Sequence, residues 1–136
     1  MNQRVLMVED DAAIGAMVVN VLRLEGIEVT VVGHGREALE ALRTQRYETA
    51  ILDVMLPDID GISIMRAIRQ DPLTASIFVV MLTAKTDDAT TWEGWKAGCD
   101  YYMTKPFDPA DLVSVIRRLQ SPAPTESSPP DLLGEA

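Results

Sequence analysis

Short apolar runs alternate with helix-like stretches along most of this chain. The apolar runs predict strands at residues 4–8, 27–32, 49–53, 77–82 and 100–103. In the stretches that follow them, apolar residues recur every three or four positions, which predicts helices at residues 12–24, 36–44, 61–70, 87–97 and 109–119. We therefore expect five consecutive β-α units.

The strands differ in where their polar residues fall. Residues 4–8, 49–53 and 77–82 are mainly apolar on both faces, as expected when helices cover a parallel sheet on both sides. Residues 27–32 alternate, with polar side chains at Glu28 and Thr30, and this indicates a strand nearer the sheet edge. Right-handed crossovers between such strands predict a doubly wound α/β fold of three layers, with a ligand site at the carboxyl ends of the strands.

Composition changes at Ser121. Residues 121–136 contain four prolines, three serines, three acids and no base, so this segment cannot bury enough apolar surface to order itself. We expect one domain at residues 1–120 and a flexible tail or linker at residues 121–136. Such a chain is either a single-domain regulator that works by protein contact or a domain that ends within a linker.

Charge and cysteine content narrow the function classes. Twelve Lys and Arg residues face 21 Asp and Glu residues, giving a net charge of −9 and no basic stripe, which argues against direct nucleic-acid binding. Uncharged stretches such as residues 12–22 are too short to span a membrane, and no signal peptide is apparent. The single cysteine, Cys99, fits a reducing compartment, so we expect a cytoplasmic protein.

Charged groups follow the predicted strands at the edge where a ligand site is expected. The groups that should meet there are Glu9, Asp10, Asp11, Asp53, Thr83 and Lys105. Asp11 precedes a helix and is interpreted as its N-cap. Asp10 and Asp53, if held close, would repel each other unless a cation lay between them, and oxygen ligands of this kind suit Mg²⁺, with Mn²⁺ as an alternative. At this point Asp53 could be a metal ligand, a hydrolase nucleophile, a modification site, or a simple partner of Lys105.

Four segments together resemble a known family. VLMVEDD, ILDVMLPDIDG, MLTAK and YYMTKPF, in this order and spacing across about residues 3–120, are similar to the signatures of the response-regulator receiver domain of two-component signalling, in the CheY-like superfamily. The resemblance implies a flavodoxin-like fold, with a five-stranded parallel sheet in the order 2-1-3-4-5 and five helices.

The resemblance also implies a phosphoacceptor and a metal site. Asp53 would be the residue that is phosphorylated. Asp10 and Asp53 would bind Mg²⁺ directly, Glu9 would act mostly through water, and the backbone carbonyl of Met55 would complete the protein ligands.

A second set of implied residues would bind the phosphoryl group and carry the switch. The Thr83 hydroxyl and the Ala84 amide would bind phosphoryl oxygens, and Lys105 would pair first with Asp53 and then with the phosphoryl group. Lys105 and Pro106 would be joined by a cis peptide bond, which aims the lysine inward. Tyr102 occupies the switch-aromatic position, and it would rotate when Thr83 moves toward the phosphate.

These roles predict a signalling switch and not an enzyme with an external substrate. Asp53 would take a phosphoryl group from a histidine kinase or phosphotransfer protein, and the surface formed by the predicted helix 87–97, the last strand and the last helix would then change to control an unknown partner. Self-dephosphorylation should be slow, because Met55 and Lys85 support an attacking water poorly.

Of three alternative functions, two need a residue or motif that the chain lacks, and the third stays as a second hypothesis. A haloacid-dehalogenase phosphatase needs a second Asp two positions after its nucleophile, where Met55 stands and cannot transfer a proton. A flavin or nucleotide binder needs a glycine-rich turn after the first strand, where this chain has EDDAA. A degenerate receiver that binds partners without phosphorylation stays open as the second hypothesis.

The expected oligomeric state follows from positions that carry charged pairs in dimers of related transcription factors. The matching positions here hold Thr91, Tyr101 and Val115, which have no charge, whereas Asp111 keeps an acid. We therefore expect a monomer or a weak dimer.

Overall fold

The computed structural model of the chain describes residues 3–83 and 97–120. Within these ranges the elements are β1 (Arg4–Val8), α1 (Ala12–Leu24), β2 (Glu28–Val32), α2 (Gly35–Thr44), β3 (Thr49–Asp53), α3 (Gly61–Gln70), β4 (Phe78–Thr83), β5 (Tyr101–Thr104) and α4 (Pro109–Gln120). The helix predicted at residues 87–97 lies outside the described residues except for Ala97, as do Trp92, Trp95 and the predicted tail. Among the helices of the described ranges, none is both long and apolar enough to span a membrane.

All five strands are parallel and lie in the order β2-β1-β3-β4-β5. This confirms the doubly wound fold and the edge position of β2, while several strand boundaries differ from the prediction by one residue. Asp53 pairs in register with Leu82, and Thr83 pairs with Thr104. The carboxyl ends of β3, β4 and β5 are therefore level, and the residues after them meet at one edge of the sheet.

Two apolar clusters cover the two faces of the sheet. On one face, Val18 and Leu22 of α1 and Ile116 of α4 pack with strand residues. On the other face, Ala38 of α2 and Ile64 of α3 pack with alternate strand residues, and buried Cys99 joins this cluster. Because β1, β3 and β4 are covered on both faces, their side chains are almost entirely buried, each large one contributing about 1.5–3 kcal/mol.

The helices begin at the carboxyl edge, and three of them carry their own aspartate caps, since Asp108 before α4 accepts from the Ala110 amide at 2.9 Å. Asp11 accepts hydrogen bonds from the amides of Ala13 and Ile14 at 2.9 and 3.2 Å, as its predicted role as N-cap requires. Asp60 caps α3 by accepting from the Ser63 amide at 2.8 Å. Helix α2 differs, because its N-cap residue His34 makes no side-chain capping bond; its exposed ring lies 3.5 Å from the Glu37 carboxylate.

Arg69 joins three segments at the opposite, amino-terminal edge of the sheet. Its guanidinium donates hydrogen bonds of 2.6–2.9 Å to the carbonyls of Ala75, Ile77 and Gly98 and to the carboxylate of Asp100. Asp100 also accepts from the Val79 amide at 2.8 Å. The end of α3 is thus fixed to the segments that lead into β4 and β5.

Candidate functional site

Three carboxylates meet at the carboxyl edge. Glu9 follows β1, and its amide continues the β1–β2 pairing by donating to the Val32 carbonyl at 2.9 Å. Asp53 is the last residue of β3. Oxygen atoms of Glu9, Asp10 and Asp53 lie within 4.8 Å of one another, with Glu9 and Asp53 buried and Asp10 exposed. The structure therefore brings together the three acids that the sequence grouped.

Lys105 places its ammonium group between two of these acids. Its Nζ lies 2.9 Å from Asp53 Oδ2 and 2.9 Å from Glu9 Oε1. The lysine is held at the end of β5, where its amide donates to the Thr83 carbonyl at 2.6 Å and where it is joined to Pro106 by a cis peptide bond. The sequence interpretation paired Lys105 with Asp53 but missed its equal contact with Glu9.

The electrostatics of the cluster follow from burial and from this contact. Burial raises the pKa of Glu9, since desolvation and the nearby Asp53 outweigh the opposing effect of Lys105. Desolvation alone would lower the pKa of Lys105, but its hydrogen bonds to Asp53 and Glu9 raise it overall. The lysine therefore stays protonated and is the positive group that offsets the buried acids.

The residues after Asp53 pack tightly at the base of the site. The Met55 amide donates to Asp53 Oδ1 at 3.0 Å, which orients the carboxylate. The Met55 side chain is 70% exposed beside it. Gly61 packs directly on the backbone of Asp53, and an added Cβ there would lie 2.9 Å from the Val54 Cα. Only glycine permits this close approach.

Thr83 and Tyr102 lie on neighbouring strands next to the acids. Thr83 ends β4 and is buried. Tyr102 of β5 is paired with Met81 of β4. Its side chain packs against the apolar cluster under α2 and α3. Its hydroxyl is buried and has no hydrogen-bond partner among the described residues, which is unusual for a buried polar atom. Ala84, the remaining predicted phosphate-binding residue, lies outside the described residues.

The acid cluster fits a hard divalent cation. All three side chains offer carboxylate oxygens, the ligand type that Mg²⁺ prefers. Glu9 Oε1 is buried and, although close to Lys105, has no well-oriented hydrogen-bond donor within the described ranges. A cation or its bound water would satisfy this oxygen and reduce the repulsion between the acids. The residues present therefore suit the metal that the family resemblance implies.

The fold and the site together define a class: a doubly wound α/β domain with an acid cluster and a lysine at its carboxyl edge. The sequence model of the response regulator receiver domain matches residues 5–117. This chain therefore belongs to the response-regulator receiver-domain family.

Individual relatives agree with this assignment. The chain is 44% identical over 117 residues to the DNA-binding response regulator MtrA of Mycolicibacterium paratuberculosis, a match that covers 86% of this chain and 51% of MtrA. The chain thus spans about half the length of this relative. A putative response regulator from Chloroflexus aurantiacus superposes with a TM-score of 0.83 at 36% identity, covering 88% of this chain and 98% of that one. A beryllofluoride-activated DrrB receiver domain superposes with a TM-score of 0.80 at 32% identity, covering 88% and 97%.

One residue near the site was missed by the sequence interpretation. Asp58 lies in the segment between β3 and α3, and its carboxylate accepts hydrogen bonds from the amides of Gly35 and Arg36 at the start of α2. An Asp after Pro57 is typical of a turn, so the sequence signalled its conformation. Its partners, 22 and 23 positions away, could not be read from that signal.

Proposed function

We propose that this chain is a phosphorylation-activated switch that accepts a phosphoryl group on Asp53 from a histidine kinase or a phosphotransfer protein. The observation that carries the proposal is the contact of Lys105 Nζ with both Asp53 and Glu9 at 2.9 Å, beside exposed Asp10. A nucleophilic carboxylate, further acids and a fixed cation are the groups that phosphoryl transfer to an aspartate needs.

In the proposed reaction, an Asp53 oxygen forms a bond to phosphorus as the bond from phosphorus to the donor's imidazole nitrogen breaks. The imidazole leaves and is protonated, and Asp53 becomes an aspartyl phosphate. Lys105 starts as the partner of Asp53 Oδ2 and moves its hydrogen bond to a phosphoryl oxygen. The Met55 amide holds Asp53 Oδ1, so the other oxygen attacks.

The metal would be held by Asp10, Asp53 and the Met55 backbone carbonyl, with Glu9 acting mostly through water. When bound, Mg²⁺ would neutralise charge on the transferring group. The Thr83 hydroxyl and the Ala84 amide would bind phosphoryl oxygens next to it. Burial of Glu9 and Asp53 supports this arrangement, since a partly dry site strengthens each of these charge interactions.

The proposed output is a change of surface. Phosphate adds about −1.5 to −2 charges at the edge of the sheet. Thr83 would shift toward it, and Tyr102, whose hydroxyl has no partner among the described residues, would rotate into the space that Thr83 leaves. The surface around β5, α4 and the predicted helix 87–97 would then bind or release a downstream protein.

The proposed chemistry ends with the phosphoprotein and includes no external substrate. Water attack on the aspartyl phosphate should be slow, because exposed Met55 offers no group that could orient or deprotonate a water molecule. We also propose a cytoplasmic location, which fractionation of cells can test.

MtrA is described as DNA-binding, and the match covers only half of it. For the residues described here we propose protein contact and no direct nucleic-acid contact, because the chain carries a net charge of −9. Salt-sensitive binding of this chain to duplex DNA would contradict the proposal.

Phosphorylation of Asp53 can be tested with acetyl phosphate, Mg²⁺ and a phosphate-affinity gel. We expect a retarded band for the wild type that needs Mg²⁺ and is missing in Asp53→Asn. The band should persist well beyond seconds after acetyl phosphate is removed. A wild type that forms no such band would instead support the second hypothesis, a receiver that binds its partners without phosphorylation.

A further inference from the structure

Helix α2 receives its N-terminal cap from a distant part of the chain. Its own N-cap residue, His34, makes no capping hydrogen bond. The free amides of Gly35 and Arg36 instead donate to the two carboxylate oxygens of Asp58, at 2.7 and 3.1 Å. A carboxylate is well suited to this position because a helix N-terminus carries partial positive charge.

Asp58 belongs to the β3–α3 loop, residues 54–60, which also carries Met55. The base of this loop is closed, since the Val54 amide donates to the Leu82 carbonyl and the Gly61 amide donates to the Val54 carbonyl, at 2.9 and 3.0 Å. Between these ends, the Asp58 carboxylate also accepts from the Ile59 amide at 2.9 Å, which fixes the local turn. The carboxylate thus joins the loop to α2 while holding the shape of the loop.

A second contact at the same place is independent of charge. Gly35, the first residue of α2, faces Ile59 of the loop so closely that an added Cβ would lie 2.8 Å from the Ile59 Cβ. Glycine at this position lets the loop approach the helix. The loop is therefore held against α2 by a set of hydrogen bonds and by close packing.

The ionisation of Asp58 agrees with this role. Desolvation by itself would raise the pKa of Asp58, but hydrogen bonds from the amides of Gly35, Arg36 and Ile59 lower it overall. The side chain stays ionised and keeps accepting these bonds at neutral pH.

We propose that Asp58 is a positioning residue that holds the β3–α3 loop against α2 and thereby places the Met55 carbonyl for the cation at Asp53. This inference rests on the proposed function, because it assumes that Mg²⁺ binds there. Groups that orient metal ligands from a distance typically change metal affinity about 10–100-fold when they are removed.

The test is Mg²⁺ titration of the metal-free protein, followed by NMR of its backbone amides. Asp58→Ala should weaken Mg²⁺ binding about tenfold. Asp58→Asn loses the same charge but keeps one oxygen for the Gly35 and Ile59 amides, so it should weaken binding clearly less. Gly35→Ala changes no charge and pushes the loop away at Ile59, so it should also weaken binding.

Asp71→Asn is the matched control, because Asp71 also accepts a backbone amide, that of Leu73, but lies at the far end of α3. We expect its Mg²⁺ affinity to equal that of the wild type. Phosphorylation of Asp58→Ala by acetyl phosphate should be slow at low Mg²⁺ and recover at saturating Mg²⁺, which a general loss of folding would not produce.

Three results would overturn the inference. Equal weakening in Asp58→Ala and Asp58→Asn would show an effect of charge alone. Unchanged affinity in Gly35→Ala would show that the position of the loop does not matter. A wild type that binds no Mg²⁺ would overturn the proposed function together with this inference, whereas the first two results leave the proposed function intact.

Discussion

Single side chains at the carboxyl edge balance one another. Glu9 and Asp53 are buried acids, which would be costly without a partner, and Lys105 contacts both. Removing one member of a buried charged group leaves the others uncompensated, and that costs more than the intact group contributes. We therefore expect Lys105 to stabilise the folded protein as well as to take part in the proposed chemistry.

We predict that Lys105→Met destabilises the metal-free protein by about 2–4 kcal/mol in urea unfolding, and by less when Mg²⁺ is present. The hydrogen bonds raise the pKa of Lys105 above its ordinary value of 10.5, so its stabilising effect is complete below that pH and is lost as pH rises through the folded-state value. The cost of the substitution should therefore be similar from pH 7 to about pH 10.

Arg118→Met, which removes the same charge from an exposed position on α4, provides the control. It should change the free energy of unfolding by less than about 0.5 kcal/mol. A cost for Lys105→Met as small as this would contradict the prediction.

At the scale of elements, the carboxyl ends and the amino-terminal ends of the strands differ in function. The carboxyl edge holds the acids and the loops that position them. The amino-terminal edge is fixed by Arg69, whose planar guanidinium donates in several directions at once to backbone carbonyls and to Asp100. Lysine cannot reproduce this geometry, since it carries a single ammonium group.

We predict that Arg69→Lys lowers the free energy of unfolding by about 2–3 kcal/mol, because several partly buried carbonyls lose their donor. Arg43→Lys on the exposed end of α2, where Arg43 pairs with Glu40, should change it by less than about 0.5 kcal/mol. Both values come from urea unfolding. Equal small costs for the two variants would show that the Arg69 contacts do not stabilise the fold.

For the whole molecule, the side chains on β5 and α4 decide whether two copies of the chain could pair through charged groups. Val115 is buried in the core and Tyr101 packs against the same cluster, so neither presents a charge for a dimer contact. Asp111 is exposed on α4. Thr91 lies outside the described residues. Of the three positions that the structure describes, Tyr101 and Val115 therefore lack the charge that such a dimer needs, and Asp111 keeps one.

We predict that the chain stays monomeric, or at most a weak dimer, when it is activated with beryllofluoride and Mg²⁺. Sedimentation velocity over a range of protein concentrations will measure this. Asp111→Asn serves as a control, because it should leave the sedimentation coefficient unchanged. A tight activated dimer that Asp111→Asn dissolves would contradict the prediction.

The sequence by itself determined the doubly wound α/β class, its three layers and the edge at which Glu9, Asp10, Asp53 and Lys105 meet. The spacing of apolar residues along the sequence shows which faces of the helices and strands are buried. Consecutive parallel β-α units place the carboxyl ends of all the strands at one edge of the sheet. Only the tertiary structure decided that Lys105 bridges Glu9 as well as Asp53, that Asp58 caps α2, and that Arg69 reaches Asp100. These partners lie from 22 to 96 positions apart. A local pattern cannot name such partners, because the packing of loops between distant elements selects them.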